Sequence, residues 1–242
     1  MRVIAVMSGK GGVGKSFVSV GLASALQRKT GAAGILDGDI TGASVARLLG
    51  VKPGAHVDSE GHLLPGNADN GLKVASMSLM MPSEDKAVIW RGPLISRAIS
   101  QLYEDTTWGD IEYLVVDMPP GTSDAALTVL EKIKPEGIVV VTTPQDMVTN
   151  VARRSHDMAT TMGTNVFGVV MNMAYVQCPH CDEQIDIFGT VDEAALGGLK
   201  QLLTLPLVPE WASLEDAGRG AEVATDEFDS LAAVVVGQLG AS

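Results

Sequence analysis

The octapeptide Gly9-Lys10-Gly11-Gly12-Val13-Gly14-Lys15-Ser16 limits the possible folds of this chain more than any other stretch. It follows an apolar run, Val3 to Met7, and precedes a helical pattern, the strand–loop–helix context that a phosphate-binding loop requires. Glycines at 9, 11, 12 and 14 let backbone N–H groups turn inward around α- and β-phosphates, and the helix starting near Lys15 adds its positive end. Lys15 is expected to reach the β- and γ-phosphates and the Ser16 hydroxyl to ligate Mg²⁺, with Val13 and Phe17 completing the run of nucleotide contacts. Lys10 is a second lysine where this chemistry requires one.

Short β-branched runs alternate with longer helical patterns: Val3–Met7, Gly34–Leu36, Tyr113–Val116, Gly137–Thr142, Val166–Met171 and Leu203–Val208. Near-continuous apolar strands separated by helices predict an α/β fold, a doubly wound and mostly parallel sheet covered on both faces. Val18, Leu22 and Ala25 recur at helical spacing and Gly31 ends that helix. Lys52 to Gly71 reads as a loop or short hairpin, and Asp226 to Leu239 as a helix packed through Phe228, Leu231, Ala232, Val235 and Leu239. A length of 242 residues without a repeat or long linker predicts one P-loop NTPase domain over 1–242.

A phosphate loop needs acidic partners to hold Mg²⁺ and orient the attacking water. Asp117 closes the strand Tyr113–Val116 and so belongs at the carboxyl edge, where doubly wound sheets bind ligands. Asp37 and Asp39 follow the second strand and flank Gly38; with alternating side-chain directions, one of them faces the phosphate more easily than the other.

The formal net charge of −12 repels phosphate polymers and anionic lipid, so neither nucleic acid nor a membrane is an expected partner. The adjacent cations Arg153 and Arg154 read as a solvated helix face. No segment has the length of a signal peptide or membrane span, and two cysteines in so long a chain do not make a disulfide scaffold, which predicts a cytoplasmic protein.

"KGGVGKS", "LDGDITGAS", "WRGP" at Trp90 to Pro93, "DMPPGTSD" from Asp117, "TTPQ" from Thr142, Asn172-Met173 and "CPHC" at Cys178 to Cys181 occur in an order that resembles the Mrp/ApbC-type ATP-binding iron-sulfur carriers, a branch of the MinD/ParA group. The resemblance implies that Lys10 reaches across a face-to-face homodimer to the partner's nucleotide, a cation supplied in trans. It further implies that Asp39 orients the attacking water, Asp37 helps organise the metal shell, Asp117 is the Mg²⁺-side acid and Gly121 senses the γ-phosphate. Asn172 would hydrogen-bond the adenine edge, with the Pro206-to-Glu210 turn, Pro209 and Glu210 included, closing over the base. Gly38 and Ala43 stand where the family usually has Ala and Pro, a less rigid switch.

Cys178 and Cys181 are the chain's two cysteines, whereas tetrahedral zinc or a four-iron cluster normally takes four protein ligands. Two chains meeting on a twofold axis supply four. A redox couple, a zinc clasp and structural thiols remain alternatives, and His180 reads as a solvated spectator. The family implies a transient [4Fe-4S] cluster bridging the dimer and passed to apo-proteins, with slow ATP hydrolysis as a switch and without the extra cysteine-rich N-terminal module of some relatives. The rival is a ParA- or MinD-like positioning ATPase whose cysteines bind zinc. DNA binding would call for a basic surface, and membrane binding for a basic terminal helix in place of one carrying Asp226, Glu227 and Asp229.

Overall fold

In a computed structural model describing residues 1–54, 56–80, 92–121, 123–144, 157–189, 196 and 198–240, the strand that leads into the glycine loop lies inside an eight-stranded sheet. In chain order the strands are β1 (Arg2–Ser8), β2 (Ala33–Asp37), β3 (His56–Val57), β4 (Leu63–Leu64), β5 (Gly66–Asn67), β6 (Lys73–Ala75), β7 (Tyr113–Asp117), β8 (Gly137–Thr142), β9 (Asn165–Met171), β10 (Tyr175–Gln177), β11 (Gln184–Asp186) and β12 (Gln201–Thr204). The sheet order is β12-β9-β8-β1-β7-β2-β6-β5, parallel throughout except for β5. Trp90, Arg91, Thr122, Gln145 and the Arg153-Arg154 pair lie outside the described residues.

Alternation along each strand builds a core on either face. Ile4, Val6, Val115, Val139 and Val141 face helix α1 (Lys15–Thr30) and the last helix, Thr225–Gly240. Val3, Ala5, Met7, Val116, Ile138 and Val140 face the other way, with Ile99 and Leu102 of helix Gly92–Glu104. A strand buried on both faces needs apolar residues at every position, which is why these runs are continuous. The expected packing of Phe228, Leu231, Ala232, Val235 and Leu239 is present, and all five are buried. Phe228 reaches α1 because Gly21 leaves room for its ring: a Cβ there would lie 2.2 Å from it.

One detail differs from the sequence reading. The last strand stops at Thr204, because Pro206 has no N–H to continue the ladder. Leu205 and Leu207 instead donate singly to the carbonyls of Met171 and Tyr175, at 2.8 Å each. The expected loop or short hairpin at 52–71 is present as the antiparallel pair β3 and β4; beyond the hairpin, β5 pairs antiparallel with β6, a strand of three residues that extends the parallel sheet. Among the described residues no helix is long and apolar enough to cross a membrane.

Candidate functional site

The glycine loop is shaped by its backbone and by one distant side chain. Gly12 and Gly14 both adopt φ of +83°, a left-handed conformation that suits glycine. The Ser8 hydroxyl donates to the Lys10 carbonyl at 3.0 Å, and Asn172, reached from the end of β9, donates its Nδ2 to the Val13 carbonyl at 2.9 Å. A Cβ on Gly14 would sit 2.1 Å from that Nδ2, so glycine is required twice over at this position. Helix α1 begins on Gly14 without a side-chain cap or an acidic residue in its first turn, the arrangement that suits an anion.

Behind the loop, the register of β2 against β7 sets Asp37 level with Asp117 at the carboxyl edge of the sheet. Both carboxylates are buried. Three groups from α1 converge on Asp117: Ser16 Oγ donates to Oδ2 at 2.6 Å, Ser19 Oγ to Oδ1 at 2.6 Å, and Lys15 Nζ lies 2.8 Å from Oδ1. The lysine contact is an ion pair by distance but lacks hydrogen-bond geometry, so the buried ammonium keeps donors for an incoming phosphate. Asp37 accepts from the N–H groups of Asp39 and Val45 at 3.2 Å and from Ser76 Oγ at 3.1 Å. Burial first, and then the Asp117 charge, push its carboxyl up from 3.8 to about 7. A divalent cation beside two such carboxylates would relieve that repulsion and favour both charged forms. The donor set therefore fits magnesium: Ser16 and Asp117 would hold it, with Asp37 adjacent.

Asp39 points elsewhere. Its Oδ1 accepts from Thr41 Oγ1 at 3.2 Å and Gly42 N–H at 3.1 Å, and the residue lines a cavity of about 300 Å³ with Ile95, Pro119, Pro120 and Ser123. Tertiary structure thus separates the two aspartates, Asp37 inward and Asp39 toward the open side. Gly121, at φ +75°, donates its N–H to the Ser8 carbonyl at 2.9 Å, beside Gly9 at the start of the loop. Gly9, Lys10, Gly11 and Gly12 are exposed along the rim.

The start of α1 is also held through aromatics. Phe17 stacks on Trp211 with ring centroids 5.7 Å apart and meets Phe228 edge-on at 5.4 Å. This ties the start of α1 to helix Pro209–Asp216, whose first turn holds Pro209 and Glu210. Trp211, Ser19 and Ser76 were not singled out from sequence. Ser19, one helical turn after Lys15, was legible as a neighbour on the same face, whereas Ser76 and Trp211 arrive from elements with no motif of their own.

Cys178 and Cys181 occupy the turn between β10 and β11, away from the sheet. Cys178 N–H donates to the Glu183 carbonyl, Asp182 N–H returns to the Cys178 carbonyl, and Asp182 adopts φ of +57°. The backbone N–H groups of His180 and Cys181 point at the Cys178 sulfur and hold its thiol below the ordinary range. Cys181 and His180 are exposed, as are Ile185, Ile187 and Phe188. Among the described residues no three His, Cys, Asp or Glu side chains form a metal-sized cluster, so the two thiols gain no third ligand there.

The chain is 40% identical over 231 residues to an iron-sulfur cluster carrier protein of Clostridium perfringens, covering 91% of this chain and 81% of that one. It is 45% identical over 196 residues to the protein of the same name from Pyrococcus horikoshii, covering 77% of this chain and 66% of the relative. Among solved structures, a nucleotide-binding protein of Archaeoglobus fulgidus in complex with ADP superimposes with a TM-score of 0.81 at 36% identity, over 94% of this chain and 90% of the other. The model of the NUBPL iron-transfer P-loop NTPases matches residues 1–238. With its loop, facing carboxylates and parallel sheet in place, the chain belongs to that family.

Proposed function

We propose that residues 1–242 form one ATP-hydrolysing domain that works as a cytoplasmic homodimer, carrying a [4Fe-4S] cluster between two Cys178–Cys181 pairs and delivering it to apo-proteins. The observation that carries this reading is the turn itself: two thiols, Cys178 half-buried and made more acidic by backbone N–H groups and Cys181 exposed, stand on a P-loop NTPase without a third ligand among the described residues. A ligand pair of this kind is half a cluster site, and a second copy completes it. The names of the Clostridium and Pyrococcus relatives agree with such a cargo.

In this reading Lys15 leaves Asp117 for the β- and γ-phosphates of ATP, while the first-turn N–H groups of α1 and the glycine loop hold the α- and β-phosphates. Ser16 and Asp117 hold magnesium, with Asp37 beside them; the ion would offset charge on the phosphate oxygens. Asp39, on the open side, orients the attacking water. Gly121 exchanges its bond to the Ser8 carbonyl for one to the γ-phosphate. Asn172 and the Pro209–Glu210 turn bound the adenine, and Lys10, at the exposed rim, enters the partner's site. Hydrolysis then depends on dimerisation and acts as a switch.

Anaerobic reconstitution with iron and sulfide tests the proposal. The expected product is a dimer holding one four-iron cluster by Mössbauer and optical spectra, absent from the Cys178→Ser/Cys181→Ser variant. A cluster retained by that variant, or a cluster-loaded monomer by light scattering, overturns it.

A further inference from the structure

Ser19 is fully buried on the second turn of α1 and belongs to neither the glycine loop nor any other motif in the chain. Its hydroxyl lies 2.6 Å from Asp117 Oδ1 and 3.0 Å from the Lys15 carbonyl. It has one proton for two acceptors, and the carboxylate, shorter and charged, takes it. We propose that Ser19 is a positioning residue for magnesium: it keeps the Asp117 carboxylate aimed once the other two groups on that carboxylate have left.

This role presupposes that Asp117 is the magnesium-side acid. Lys15, Ser16 and Ser19 all contact Asp117 in this structure. Lys15 would turn to phosphate when nucleotide binds, and the Ser16 oxygen would help hold the metal. Ser19 has neither task, because it lies a full turn deeper than Lys15. Of the three groups it alone holds Oδ1 in the loaded state, leaving Oδ2 for the metal shell. Without it, a buried carboxylate loses a charge-assisted donor, and part of the metal's binding energy must orient the group instead. The counterpart is Ser76, the residue after β6, which donates to Asp37; the facing carboxylates are thus each held by a buried hydroxyl.

The test compares Ser19→Ala with Asp117→Asn and with Ser24→Ala, which removes a second fully buried hydroxyl of the same helix, one without a hydrogen-bond partner. ADP binding is measured by calorimetry in EDTA and across a magnesium series, and Mn²⁺ binding to the ADP complex by paramagnetic resonance. Ser19→Ala is expected to need about five- to tenfold more metal for half-saturation, the loss of one charge-assisted hydrogen bond, with metal-free ADP affinity unchanged. Ser24→Ala should match the wild type, and Asp117→Asn should lose the metal dependence. Wild-type metal dependence in Ser19→Ala beside a defective Asp117→Asn overturns the role of Ser19. An equal loss of metal-free ADP affinity in Ser19→Ala also overturns it, since the hydroxyl would then act through the helix. Unchanged metal dependence in Asp117→Asn overturns the underlying assignment of Asp117 and the proposal with it.

Discussion

The glycine loop with its carboxylates and the cysteine hairpin are built to opposite standards. At the nucleotide end the buried carboxylates are each held by several groups, Asp117 of β7 by three residues of α1 and Asp37 of β2 by Val45, Asp39 and Ser76, and the loop is tied down by Asn172 from beyond β9. At the cysteine end, two three-residue strands pair with each other and the turn between them is largely exposed. Transition-state stabilisation draws on groups whose geometry is fixed before the reaction. Elements with few buried contacts, such as this hairpin, open at low cost.

Three measurements test this contrast. Gly14→Ala has the largest expected effect, since it places a Cβ at φ +83° and 2.1 Å from Asn172 Nδ2. ADP affinity by calorimetry should fall roughly a hundredfold as the loop shifts by an ångström, and native-like affinity would mean that the loop is less constrained than its contacts imply. The second measurement is the pH dependence of stability without metal or nucleotide. Asp37 is raised to about 7 from 3.8, so between these values the folded state binds more protons than the unfolded chain. Stability should therefore fall as pH rises through that window, by on the order of a few kcal/mol. Urea midpoints at pH 5 and pH 8 measure it, and Asp37→Asn should flatten the slope. The smallest effect belongs to the other end: Cys178→Ser/Cys181→Ser should change stability in urea by no more than about 0.5 kcal/mol and leave ADP affinity intact. A large loss of either would show that the hairpin supports the nucleotide site.

Much of this was legible in the chain. Continuous apolar runs announced a parallel sheet covered on both faces, and the core alternates along β1 accordingly. The glycine loop, Lys15, Ser16 and Asp117 occupy the places their spacing implies. These features are local: the loop needs glycine at particular backbone angles, and the acid ends the strand that carries it.

What tertiary structure alone decided is which groups meet. Asp37 faces inward and Asp39 outward because β2 is in register with β7, and neither register nor burial is written in "DGD". Ser19 reaches Asp117 because α1 packs across the sheet at that depth, and Trp211 reaches Phe17 because the chain turns after Pro206 to bring its helix back over α1. Backbone preferences act over a few residues and are visible in the sequence, whereas pairings across 98 or 194 positions are set by how strands and helices stack.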